Sequence, residues 1–115
     1  MTLISNDGTF VLGFFSPGTS KNRYLGIWFN NIPVQTVVWV ANRINPINDS
    51  IGLLQIKNGG RIVLQVQNTT AVWSSNTTTS ARNPVLQLLN NGNLVVRDET
   101  DSNPDNYLWQ SFDYP

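Results

Sequence analysis

The side chains best equipped for chemistry lie near the end of the chain, where Asp98, Glu99, Asp101 and Asp105 fall close together. Two carboxyl groups about 5–10 Å apart can cleave a glycosidic bond, and suitably spaced acids can hold calcium. Here the acids sit in the run DETDSNPDN, whose Ser, Asn, Pro and Asp content is that of a solvated loop. The run also lacks the glycine and closing glutamate of a helix-loop-helix calcium site. With no His and no Cys, the commonest zinc ligands, a thiol nucleophile and the usual base near neutral pH are missing together. The chain therefore reads as non-enzymatic, with no cofactor and no metal.

Composition narrows the class further. A length of 115 residues, 40% of them hydrophobic, fits one small domain. Seven basic and seven acidic residues give a formal net charge of +0 and no basic stripe, so nucleic acid is not an expected partner. The longest apolar runs, around Val37–Ala41 and Leu94–Val96, are strand-sized, so no membrane contact by this segment is expected. The first residues after Met1 have neither the charged nor the apolar region of a signal peptide.

The elements that must position any site are strands. Val, Ile, Thr and aromatic residues fill segments between Asn-Gly and Asp-Gly turns, and no window keeps a helical apolar period. Three segments align on a glycine: Thr2–Phe14, Leu54–Val66 and Leu86–Asp98. Each reads as strand, turn and strand. The turn dipeptides Asp7-Gly8, Gly59-Gly60 and Asn91-Gly92 suit two-residue hairpins, which need positive φ at their central positions. A tryptophan follows each hairpin, at Trp39, Trp73 and Trp109, spaced 34 and 36 residues apart. Three such units imply pseudo-threefold symmetry with the three indoles in the core. Trp28 lies in an extra stretch of the first unit, within the dense aromatic region Phe14, Phe15, Tyr24, Trp28 and Phe29. That region is expected to pack in the core; left exposed, it would be a patch for a protein or a glycan.

Three N-x-S/T sequons, at Asn48, Asn68 and Asn76, fall in expected loops and are candidate N-glycosylation sites. Their number is near what so Asn-rich a chain gives by chance, so loop placement carries the reading.

The blocks SNDGTFVLGFFSPG, RYLGIWF, VVWVANR, AVWSSN, QLLNNGNLVVRD and LWQSFDYP together resemble the bulb-type lectin domain of plant S-locus glycoproteins and G-type lectin receptor-like kinases. The resemblance runs from Thr2 to Pro115 and implies a β-prism of three four-stranded sheets about a pseudo-threefold axis. It also implies that residues 1–115 are one lectin domain, a fragment of a larger receptor ectodomain lacking one or two N-terminal strands and leaving a sheet edge unpaired. It places the domain extracellularly, with a glycan or protein ligand as partner and a homodimer left open. Kinase activity would lie outside this chain, which has no V-A-I-K strand and no H-R-D loop.

In the related monocot lectins each unit binds mannose through Q-x-D-x-N-x-V-x-Y. Alternate residues of a strand share a face, so amides and a carboxylate meet sugar hydroxyls while Val packs on the ring. The first unit offers Ser5, Asp7, Thr9, Val11 and Gly13, keeping the Asp and Val positions. The second offers Lys57, Gly59, Arg61, Val63 and Gln65, keeping only Val. The third offers Leu89, Asn91, Asn93, Val95 and Arg97, keeping Asn and Val. The carbohydrate-binding candidates are therefore Asn91, Asn93 and Val95, then Asp7 and Val11. Against them stands the reading of Asp7, Asn91 and Asn93 as turn residues that tolerate left-handed backbone. The corresponding alternative function is a structural or dimerisation module whose sugar sites have decayed and whose ligands are proteins.

Overall fold

Alternation along each strand sends one set of side chains to a common centre and the next set outward. The computed structural model describes residues 2–48, 52–66, 70–77 and 79–114. They form eleven strands in three antiparallel sheets, an all-β prism. The first sheet contains β1 (Leu3–Ile4), β2 (Phe10–Phe15), β3 (Asn22–Phe29) and β4 (Val37–Val40), with β5 (Ile47–Asn48) pairing beside the start of β3. The second contains β6 (Gly52–Ile56), β7 (Ile62–Val66) and β8 (Thr70–Ser74). The third contains β9 (Pro84–Leu88), β10 (Leu94–Asp98) and β11 (Trp109–Gln110). Where four strands per sheet were expected, the described residues supply five, three and three.

The centre is built from Leu12, Leu25, Ile27, Ile62, Leu64, Leu94 and Val96, all fully buried. Beside them Trp39, Trp73 and Trp109 form a triangle with ring centroids 5.9, 5.9 and 5.6 Å apart, each pair edge to face. Edge-to-face packing sets the positive rim of one indole against the negative face of the next. Trp39 and Trp109 are buried and Trp73 is half-buried. Each indole sits opposite an aliphatic residue of the adjoining strand: Ile27 for Trp39, Leu64 for Trp73 and Val96 for Trp109.

That register corrects the repeat. Trp39 is borne by β4, and β4 pairs with β3, not with the hairpin β1–β2 that the aligned glycines put in the first unit. Buried polar side chains show the same equivalence. Asn42 Oδ1 accepts the Leu25 N–H, Ser75 Oγ the Ile62 N–H and Ser111 Oγ the Leu94 N–H, at 2.9, 3.1 and 3.0 Å. Leu25 of β3 thus matches Ile62 of β7 and Leu94 of β10. The hairpin β1–β2 is an added pair at the edge of the first sheet: it shares the turn and the buried strand pattern of the other two, with Ser5 Oγ accepting the Phe10 N–H at 3.0 Å, but it lacks the tryptophan strand as a neighbour.

The turns differ from the two-residue hairpins expected. In each, a glycine N–H closes a four-residue turn, Gly8 to Ser5, Gly60 to Lys57 and Gly92 to Leu89. Only the glycines have positive φ, at 79°, 110° and 90°, with Gly59 also at 86°. Asp7 and Asn91 are not left-handed. Their carboxylate and amide oxygens instead accept the N–H two residues on, Thr9 at 2.9 Å and Asn93 at 3.0 Å. Short polar side chains favour turns by this local bond as well as by tolerance of unusual φ.

Since Trp109 is buried among two other indoles and stacks on Tyr114 at 6.0 Å, Trp109→Ala is expected to lose about 3–5 kcal/mol in urea denaturation. Trp73→Ala, at the half-buried corner, should lose less.

Candidate functional site

If inward positions make the core, any site belongs on the outward ones, and the corrected register gives one outward row per sheet. In the first sheet the row is Gly13, Gly26 and Val40. In the second it is Gln55, Val63 and Ser74, and in the third Gln87, Val95 and Gln110. The three rows carry different chemistry.

Aromatic rings cover the first row. A Cβ on Gly13 would meet Trp28 at 2.9 Å, and one on Gly26 would meet Phe15 at 2.6 Å. Phe15 packs against Tyr24 and Trp28 at 5.7 and 6.1 Å, so the two glycines make room for a lid of rings. Phe14 and Phe29 pack against the core, whereas Phe15, Tyr24 and Trp28 are half-buried on the outer face. Val11, 6% exposed, lies opposite Trp28 in the added hairpin, not in a row equivalent to Val63 and Val95. Asp7 sits at that hairpin's tip, where its carboxylate accepts the Thr9 N–H and the Ser5 hydroxyl. The Thr9 N–H foremost, then the Thr9 and Ser5 side chains, hold its pKa below the ordinary 3.8. Its own N–H donates to Asn90, tying this tip to the third sheet's turn.

The third row is closed by its own polar groups. Asn93, 4% exposed, donates from Nδ2 to Gln110 at 2.9 Å, and its Oδ1 accepts from Ser111 Oγ at 3.3 Å and the Phe112 N–H at 3.1 Å. Arg97 donates from Nε to Gln87 at 3.0 Å and reaches the carbonyls of Asp98 and Glu99. Val95, fully buried, lies beneath this cover. The structure thus brings Asn91, Asn93 and Val95 together, with the amide of Asn93 engaged on both ends. Asn91 remains exposed beside an apolar hollow of about 290 Å³ that also touches Phe10, Phe29 and Phe112.

The second row, which keeps least of the mannose pattern, stands beside the larger opening. A groove of about 770 Å³ is lined by Gln55, Ile56, Lys57, Asn58, Arg61 and Thr77. Lys57 Nζ donates to Gln55 Oε1 at 2.9 Å, and Thr77 Oγ1 shares a 2.7 Å hydrogen bond with Ser75. The hairpin beneath is held firmly. The Lys57 N–H donates to the Arg61 carbonyl at 2.7 Å, and the Ala81 N–H donates to the Gly59 carbonyl at 2.9 Å. A Cβ on Gly60 would meet Leu108 at 2.8 Å, so the turn backs directly onto the third sheet.

The acidic run is engaged with its own backbone. Asp98 accepts from the N–H and hydroxyl of Thr100, which lower its pKa from 3.8; Asp101 accepts from the Asn103 N–H and Asn106, and Asn103 from the Asp105 N–H. Among the described residues no cluster of acids is arranged to hold a metal ion. Of the sequons, Asn76 is exposed in a loop with φ 53°, and Asn48 is exposed at the end of β5, a strand where a loop was expected. Asn68 lies outside the described residues. Sequence reading had no role for Ser75 and Ser111, although Trp73-Ser74-Ser75 and Trp109-Gln110-Ser111 repeat a W-x-S signal that could have marked them.

A family model described as D-mannose binding lectin matches residues 36–115, which contain the second and third sheets and Trp39. The chain belongs to the D-mannose binding lectin family. This lectin domain is 50% identical to a receptor-like serine/threonine-protein kinase of Arabidopsis thaliana, over 99% of this chain and 14% of the relative. It is 46% identical to a G-type lectin S-receptor-like serine/threonine-protein kinase of the same plant, over the same shares. An S-locus-specific glycoprotein of Brassica oleracea is 47% identical over 99% of this chain and 26% of its own length. The lectin domain therefore spans between about a seventh and a quarter of the length of these relatives.

Ser111 both accepts the Leu94 N–H and faces Asn93 from a buried position. Ser111→Ala leaves that N–H without a partner and should cost about 1–3 kcal/mol, read as a lower midpoint in urea at unchanged slope.

Proposed function

We propose that this lectin domain is the extracellular recognition module of a longer plant receptor-like kinase or S-locus glycoprotein, of carbohydrate-binding type and without catalysis of its own. The observation that carries the reading is the division of labour between faces. Three indoles and the aliphatic centre hold a rigid prism, and one outer groove stays open with amide, hydroxyl and cationic groups around it. Rigid concave sites lined by fixed polar groups are what saccharide recognition requires, because each displaced water must be replaced by a matched hydrogen bond. Membership of a family described by mannose binding supports the same class of ligand.

A second reading has its own support. The third row uses its polar groups on one another and the first is roofed by aromatic rings, as in a scaffold that contacts protein ligands or a second copy of itself. Backbone-amide NMR during titration with mannose, a high-mannose oligosaccharide and an acidic oligosaccharide separates the two. Recognition predicts saturable shifts confined to one outer face for at least one saccharide. Silence with all three, together with self-association in sedimentation, would assign the domain to scaffolding.

Passage through the secretory route would also modify the exposed asparagines. We expect Asn48 and Asn76 to carry N-glycans when the chain is secreted from plant cells, each removed by its own Asn→Gln substitution in intact-mass measurement. An unmodified secreted chain would overturn that expectation.

A further inference from the structure

The zero net charge conceals a strong asymmetry along the chain. Between Asp49 and Asp98 there is no acidic residue, while Lys57, Arg61, Arg82 and Arg97 all lie there. After Arg97 come Asp98, Glu99, Asp101, Asp105 and Asp113 and no base. The turn of the second sheet and its groove are therefore cationic, and in the loop that follows the third sheet's central strand the Asp98 and Asp101 carboxylates are bonded within their own turns.

None of the described residues lining the groove carries a carboxylate. Its lining is Gln55, Ile56, Lys57, Asn58, Arg61 and Thr77, with the Lys57 ammonium donating to the neutral amide of Gln55 and Arg61 exposed across the hairpin neck. The 2.7 Å bond between their backbones sets the main chains of Lys57 and Arg61 opposite one another at the hairpin neck. Two cations on a fixed hairpin beside two amides and a hydroxyl fit a ligand that offers both a carboxylate and vicinal hydroxyls. Arg presents a planar fork to a carboxylate and Lys a point charge, while amides and hydroxyls exchange donors and acceptors with sugar hydroxyls.

From this we infer that the groove between Lys57 and Arg61 is a binding site for an acidic oligosaccharide of the uronic-acid class. Its carboxylate is held by the two cations and its hydroxyls by Gln55, Asn58 and Thr77. The inference rests on the carbohydrate-recognition reading above and adds the ligand class and the site. It also explains in chemical terms why the unit that departs furthest from the mannose pattern holds the open groove: Lys57 and Arg61 stand where that pattern has Gln and Asn, and they select a charged sugar over a neutral one.

The test is calorimetric titration of this chain with an oligogalacturonate, with a neutral manno-oligosaccharide of equal length and with oligoglutamate. Lys57→Ala and Arg61→Ala remove the proposed contacts, and Arg82→Ala removes a charge outside the groove. The expected result is saturable binding of the oligogalacturonate, weakened about tenfold or more by Lys57→Ala or Arg61→Ala, the weight of one charge-assisted hydrogen bond. Arg82→Ala should leave it unchanged, and raising NaCl to about 0.3 M should weaken it. Equal loss with Arg82→Ala would overturn the site, leaving only diffuse charge attraction. Binding of the neutral saccharide alone would overturn the acidic ligand while sparing the recognition reading. Binding of oligoglutamate alone would overturn both, pointing to an acidic protein segment.

Discussion

Everything outward-facing on this domain depends on three indoles meeting edge to face beside its aliphatic centre. One tryptophan from each sheet occupies the triangle, and each lies opposite an aliphatic residue of its neighbouring strand. That contact fixes the phase of β3, β7 and β10. Because side chains alternate with period two, a slip of one residue would exchange the core set for the outer set. With Ile27, Leu64 and Val96 held inward, Gly26, Val63 and Val95 must face outward. Buried Asn42, Ser75 and Ser111 reinforce the phase by accepting the N–H of Leu25, Ile62 and Leu94, one in each of those strands. Among the described residues no buried side-chain polar atom lacks a partner.

The same frame carries three unlike surfaces. On the first, two glycines let rings descend onto the sheet; on the third, asparagine, glutamines and arginine satisfy one another over a buried valine; on the second, lysine and arginine flank an open groove. An amide engaged at both ends, as that of Asn93 is, gains little from a ligand, whereas the Lys57 ammonium gives one of its three donors to Gln55 and keeps the others for a partner. An open cationic groove and self-satisfied faces thus coexist on one prism without disturbing its centre.

Much of this was legible in the residues. Strand composition, turn glycines and the 34- and 36-residue spacing of tryptophans declared an all-β fold in three parts, because hairpin chemistry and large apolar side chains act locally and recur visibly. The first unit was misplaced because SNDG and LNNG make the same turn for the same local reason, the bond from an Asp or Asn side chain to the N–H two residues on. Local turn chemistry says nothing about which strand will accept the tryptophan strand as a neighbour.

By itself the sequence determined the class of fold, the threefold recurrence of tryptophan, the absence of His and Cys and the run of bases without acids between Asp49 and Asp98. Tertiary structure alone decided that β4 pairs with β3, that Asn93 has both ends of its amide engaged, and that Lys57 and Arg61 border a groove. The reason is physical. Composition and period are properties of neighbours in the chain, whereas the availability of a polar side chain depends on distant partners, such as Ser111 and Phe112, 18 and 19 positions on from Asn93, brought to it only when β11 pairs with β10.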